Sequence, residues 1–162
     1  MSLSTLHDLM IDELKDIYDA EHQMTKALPK MAKAASSTEL KSGFEQHLSQ
    51  TEKHIERLEQ VFEILGEKKG RKTCVAMEGL VKEGEELIKE NKKGEVLDAA
   101  LIVAAQKVEH YEMAAYGSVR TYAQLMGYKD AAKLLQTTLD EEGAADEKLT
   151  RMAQSLNVEA MA

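Results

Sequence analysis

The sequence predicts an all-α fold, a bundle built from four long amphipathic helices, and three observations carry that expectation. Apolar residues recur at alternating three- and four-residue spacing through four long segments, the period that places side chains on one face of a helix. The chain holds one proline, no tryptophan and few β-branched clusters, with 43% hydrophobic and 31% charged residues, a composition of helices rather than strands. Glycine and Ser/Thr clusters punctuate the segments where helices are expected to stop and start. At 162 residues the chain is long enough for one core, so residues 1–162 are read as a single domain.

The first helix is expected from about Ser4 to Ala35, ending at Ser36-Ser37-Thr38, with Thr38 as the N-cap of the second. Pro29 lies inside the first helix and is expected to kink or loosen it. The second helix runs to Gly66. The third long helix starts after Gly94 and stops at Gly127, and the fourth opens at Asp130 and fades near Asn157. Gly66 and Gly127 stand where a left-handed terminating residue belongs. Short links make helices one and two, and three and four, antiparallel hairpins. Residues 67–94 between the hairpins are too many for a turn and contain their own amphipathic stretch, Val75 to Ile88. Such a crossover can travel the length of a bundle, so helix three runs parallel to helix two. One long crossover containing a short extra helix gives the ferritin-like four-helix bundle.

Net charge excludes some partners. At −8 the chain repels phosphate backbones and anionic membrane surfaces, so nucleic acid is not an expected partner. The basic run Lys68, Lys69, Arg71, Lys72 reads as a solvated loop. No apolar run approaches the ~18 residues of a membrane span, and no secretory leader is evident, so no membrane association is expected. A single cysteine, Cys74, rules out an intramolecular disulfide and a multi-cysteine zinc site and suits a cytoplasmic setting, where it reads as a small buried hydrophobe.

The core seams carry the functional signal. Helix one gives Met10, Leu14, Ile17, Glu21, Met24, Leu28 and Met31. Helix two gives Leu40, Phe44, His47, Thr51, His54, Leu58, Val61 and Leu65. The third seam reads Leu101, Ala105, Val108, Glu112, Ala115, Val119, Tyr122 and Met126, and the fourth Ala131, Leu135, Thr138, Glu142, Ala145, Leu149, Met152 and Leu156. The polar interruptions fall near the midpoint of each helix, and midpoints meet in an antiparallel bundle. Glu109 lies one turn before Glu112 and Asp146 one turn after Glu142, at the edge of the same face. Burying carboxylates without partners costs several kcal/mol each. Protons, cationic histidines or metal ions must neutralise this layer. Mixed carboxylate and imidazole shells suit iron or manganese, with zinc also acceptable, and di-metal bundles of this architecture use such ligands. The competing reading is a hydrogen-bonded polar layer that fixes helix register. His22 and His110 fall off the seams, His7 near the N-terminus reads as solvated, and Tyr18, Tyr111 and Tyr116 lie close to the layer.

The segments YDAEHQMTKALPKM, HLSQTEKHIERLEQVFEILG, CVAMEGLV, AALIVAAQKVEHYEMAAYGS and AAKLLQTTLDEEGAADEKL resemble the YciF/YciE-type ferritin-like stress proteins over nearly the whole chain. That resemblance implies a homodimer in the bacterial cytoplasm, linked to stress responses. A wider resemblance is to rubrerythrin, whose third helix carries Glu-x-x-Glu. Glu109 and Glu112 match that spacing, and Glu21 and Glu142 match the first- and fourth-helix carboxylates. Two departures follow: Thr51 precedes His54 where the pattern has Glu-x-x-His, and Ala145 stands where it has a second fourth-helix ligand, with Asp146 one place on. The expected metal ligands are therefore Glu21, His54, Glu109, Glu112, Glu142 and Asp146, with His47 and Thr51 adjoining. The expected function is metal binding, of di-iron or di-manganese type, with oxidoreductase or peroxide-linked potential. The alternative is a non-catalytic dimeric helical protein. A dimer is also expected because Ile11, Leu48, Ile55 and Phe62 place apolar surface outside the seams.

Overall fold

Side-chain caps start the first two long helices. In the computed structural model, which describes residues 3–162, Thr5 Oγ1 accepts from the Asp8 N–H while the Asp8 carboxylate accepts from the Thr5 N–H, both at 3.0 Å. This reciprocal box satisfies orphan donors and starts helix α1, Leu6–Ala34. Helix α2, Thr38–Leu65, is capped by Ser37 rather than Thr38. The Ser37 hydroxyl accepts from the Leu40 N–H at 3.3 Å, and Thr38 is already helical. Helices α3 (Val75–Glu90), α4 (Glu95–Leu125) and α5 (Lys129–Glu159) complete the chain, so the third and fourth long helices of the sequence are α4 and α5. Gly66 and Gly127 adopt φ of 67° and 81°, as their places at the ends of α2 and α4 require.

Helix α1 runs unbroken through Pro29. The ring lies on the exposed face, where water can serve the carbonyl that loses its helical partner. The turn between α1 and α2 is held from outside. Buried Asp98, in the first turn of α4, accepts from the Ser36 and Ser37 N–H groups at 2.7 and 2.8 Å.

Pairs of residues on neighbouring helices establish the directions. Ser36 meets Asp98 and Asp16 meets Tyr111, so α1 and α4 are antiparallel. Gln46 meets Lys148 and Arg57 meets Thr138, so α2 and α5 are antiparallel. With each hairpin antiparallel, α2 and α4 run the same way, as the long crossover demands. Helix α3 lies within that crossover and packs on α1 and α4.

The core is cut in two. One apolar half gathers Met24, Leu28, Leu40, Phe44, Leu101 and Met152 around buried Cys74 and Met77 of the crossover. The other gathers Met10, Leu14, Ile17, Leu58, Val119 and Leu135. Each such side chain contributes about 1.5–3 kcal/mol relative to exposure. Between the halves lies the polar layer. Leu65, Tyr122 and Met126, at the far ends of their seams, are only half-buried, as is Ala145. Ile11 and Phe62 are buried inside the chain, so of the surplus apolar set only Leu48 and Ile55 are left half-buried, Leu48 against the edge of the core. The basic loop spends charge on its own surroundings: Lys69 pairs with Glu59, and Lys72 with Asp12. No helix among the described residues is long and apolar enough to cross a membrane.

Candidate metal centre

Each long helix delivers polar side chains to the middle layer because its seam places them there. Glu21 comes from α1, His47, Thr51 and His54 from α2, Glu109 and Glu112 from α4, and Glu142 from α5, all buried. His54 Nδ1 lies 2.8 Å from Glu142 Oε1 and 3.3 Å from Glu21 Oε1. His47 Nε2 lies 3.2 Å from Glu109 Oε1 and 3.8 Å from Glu142 Oε2.

These approaches are close without being aligned hydrogen bonds. Both oxygens of Glu112 and of Glu142, one oxygen each of Glu21 and Glu109, His54 Nδ1, both His47 nitrogens and Thr51 Oγ1 are buried with no hydrogen-bond partner. Such orphaned groups are costly in a low-dielectric interior and rare in native cores. Two sets of ligand atoms lie within 4.8 Å of one another: His47, Glu109, Glu112 and Glu142 in one, and Glu21, His54 and Glu142 in the other. Glu142 belongs to both, as a carboxylate shared between neighbouring ions would. The donor set of oxygens with imidazole nitrogens fits iron or manganese.

Electrostatics describe the same conflict. Burial, reinforced by neighbouring Glu142, pushes the carboxyls of Glu109 and Glu112 well above the ordinary range. Burial also raises Glu21, against the pull of His54. Burial opposes ionisation of Glu142 too, but Glu109 and His54 beside it outweigh that and hold it low. Burial lowers His54, yet Glu142 and Glu21 more than offset this and push it up to about 10. The layer thus favours an ionised Glu142 against a cationic His54, while the neighbouring carboxyls hold their protons more tightly than ordinary ones.

A supporting ring surrounds the layer. The Tyr116 hydroxyl donates to Glu21 Oε1 at 2.5 Å. His54 Nε2 meets Glu141 Oε2 at 2.9 Å, and Arg57 grips Glu141 through two bonds of 2.7 and 2.8 Å. Sequence reasoning missed Glu141 and Arg57, which sit one place off the seam. Their available signal was an acid next to Glu142 and a cation three residues after His54.

Five of the six expected ligands, Glu21, His54, Glu109, Glu112 and Glu142, come together, and His47 joins them. Asp146 does not. Its half-buried carboxylate turns to α4 instead, accepting from Gln106 at 3.3 Å and lying 3.3 Å from exposed His110. Position 146 follows Glu142 by four residues on the edge of the same face, and Gln106 and His110 of α4 draw its carboxylate away from the layer. His22 stacks edge-on against Tyr18, Tyr18 donates to Glu59, and Tyr111 donates to Asp16 away from the layer. The Cys74 thiol is buried 3.0 Å from the Tyr111 hydroxyl, and burial raises its pKa, as a packed and unreactive thiol requires.

The family model described as Domain of unknown function (DUF892) matches residues 5–162. The chain belongs to this family. It is similar to Protein YciF of Escherichia coli (strain K12), 51% identical over 154 residues, which span 94% of this chain and 93% of that protein. The crystal structure of the E. coli stress protein YciF matches with a TM-score of 0.94 at 49% identity, covering 97% of this chain and 99% of that one. YcfI of Rhodopseudomonas palustris, to which a structural role is provisionally ascribed, matches at 0.89 and 46% identity, covering 92% and 95% of the two chains. A protein from Xanthomonas campestris pv. campestris shares the fold at 18% identity, with a TM-score of 0.77 over 97% of this chain and 96% of that one. The family resemblance carried by the sequence motifs is therefore correct, and so is the helical bundle it implies.

Proposed function

We propose that this chain is a metal-binding stress protein whose bundle core takes a pair of iron or manganese ions. The observation that carries the reading is the set of buried, unpartnered ligand atoms contributed by all four long helices. His47, Glu109 and Glu112 would hold one ion, Glu21 and His54 the other, with Glu142 between them. Asp146, bonded to Gln106 instead, is left out. When bound, such ions supply electron transfer to a small oxidant such as peroxide. The chain's own contribution is to fix the ligands: Arg57 holds Glu141, Glu141 holds His54 Nε2, and Nδ1 is left facing the layer. Tyr116 likewise fixes one oxygen of Glu21. Zinc would compete for the same ligands. The chain acts as a homodimer, with Leu48 and Ile55 on the joining surface, in a reducing cytoplasm that keeps Cys74 a thiol.

Metal analysis of protein purified without added metal or chelator tests this reading. About two ions of iron or manganese per chain are expected, as in di-metal carboxylate bundles. A gently prepared protein with none would move the assignment to a second reading, a non-catalytic module whose polar layer fixes register. Thr51 and Ala145, which stand where metal-binding relatives of this architecture carry ligands, favour that second reading.

A further inference from the structure

A groove between α2 and α5 opens from the surface to the edge of the polar layer, and neither metal binding nor register explains it. Its volume is about 530 Å³, within the ~300–1,000 Å³ that small-molecule sites enclose. The groove exists because the facing helices carry little there: Gly43 on α2, and Ala144 and Ala145 on α5. Lys148 Nζ donates to Gln46 Oε1 at 2.6 Å across it, which joins the helices at the rim without filling the space.

The groove has two chemically distinct ends. Its wall is apolar, formed by Met24, Leu28, Phe44, Leu149 and Met152. Its inner end is His47 and Glu109, both more than nine-tenths buried and each with a polar atom that has no hydrogen-bond partner. The rim carries Lys53, Lys148 and Arg151, and Glu109 is the lone acid among the lining residues. In a chain of net charge −8 that is a local inversion of sign. Arg151 has Glu147 at 3.8 Å, an exposed pair too weak to cancel the rim.

We propose that this groove binds a medium-chain monocarboxylate, its chain along the apolar wall and its carboxylate on the Lys53, Lys148 and Arg151 rim. The orientation follows from charge, since the lysines and the arginine that line the groove all stand at its rim and none at its inner end. The apolar tail then lies against Met24, Leu28, Phe44 and Met152, short of the unpartnered polar atoms of His47 and Glu109. The site does not depend on metal in that layer.

Decanoate, below the concentration at which it forms micelles, is the probe. Calorimetric titration of chelated protein should give one saturable site per chain, with decanol at least tenfold weaker. The double variant Lys53→Glu with Arg151→Glu should weaken decanoate at least tenfold, and Ala145→Leu, which narrows the groove, should weaken it as well while circular dichroism shows a folded helix content. The charge variant alters surface residues only, so the test stands even if the narrowed groove misfolds. No saturable binding, equal affinity for decanol, or indifference to charge reversal would overturn the assignment. Binding that requires manganese and survives charge reversal would put the carboxylate on the metal and also overturn it. Ala145→Leu changing the oligomeric state of a protein that ignores decanoate would make the groove an interface between copies instead. Metal analysis is a separate measurement, so failure here and failure of the metal reading are distinguishable.

Discussion

Arg57 touches the polar layer only through Glu141, which in turn meets His54 Nε2. Removing it leaves His54 and Glu141 in place but frees both to rotate, and outer partners of this kind typically cost 10–100-fold in metal affinity when lost. Arg57→Ala should therefore weaken manganese binding by roughly that factor in a fluorescence or calorimetric titration, with Arg57→Lys in between. Unchanged affinity would remove the positioning role. A second expectation concerns pH. Glu109 and Glu112 keep their protons to higher pH than ordinary carboxyls, and His54 holds one up to about 10. Metal must displace these protons, so affinity should rise with pH, by about tenfold per unit for each proton displaced. Titrations at several pH values check it, and a flat profile would mean that no proton leaves. Much of this site was visible in the sequence because a carboxylate on an apolar seam breaks a strict period, which is how Glu21, Glu112 and Glu142 stand out. Glu141 and Arg57 broke no period. Asp146 satisfied a spacing argument, but its carboxylate is drawn to Gln106 at 3.3 Å, a tertiary contact that no spacing reveals.

At the scale of elements, the turn between α1 and α2 depends on a residue sixty positions away. Asp98 is buried and accepts from two backbone N–H groups, and loss of charged hydrogen bonds costs about 1.5–3 kcal/mol each. Asp98→Ala should lower unfolding free energy by roughly 2–4 kcal/mol in urea, equally with and without chelator, because the turn lies far from the layer. A metal-dependent loss would show that the turn and the layer are coupled. This anchor was illegible in the sequence, since a lone aspartate in the first turn of a helix reads as a favourable dipole partner and nothing more. The helices themselves were legible, because Gly66, Gly127 and the Ser/Thr cluster mark backbone requirements that no tertiary contact needs to supply. The N-cap slipped by one residue, since Ser37 and Thr38 are chemically equivalent caps and only the approach of the chain chooses between them. Pro29 stands on the exposed face of α1, and the helix continues past it.

For the whole molecule, subunit state and the polar layer each carry a prediction. Leu48 and Ile55 lie seven residues apart on α2 and stay half-buried, whereas Ile11 and Phe62 are consumed inside the chain. Light scattering at micromolar concentration should show a dimer, and Leu48→Glu should shift it to monomer; a wild-type monomer would end that reading. Glu112→Leu separates the two accounts of the layer. Without metal, the buried Glu112 carboxyl has a raised pKa, so its contribution is greatest below the usual carboxylate range and is lost as pH rises through the folded value. Leucine has no such burden, and replacing a buried charged group by an apolar one of similar volume is often neutral or stabilising by ~1–4 kcal/mol. The chelated variant should be at least as stable as chelated wild type, by a margin that widens as pH increases. With metal present the order reverses. Ions that bind only the folded state add about 2.7 kcal/mol at a hundredfold excess over the dissociation constant, and a missing ligand forfeits much of that. Urea midpoints of both proteins, with manganese and with chelator, give the four values needed. Wild type unaffected by chelation, together with a variant destabilised equally in both conditions, would make Glu112 a structural residue and end the metal assignment.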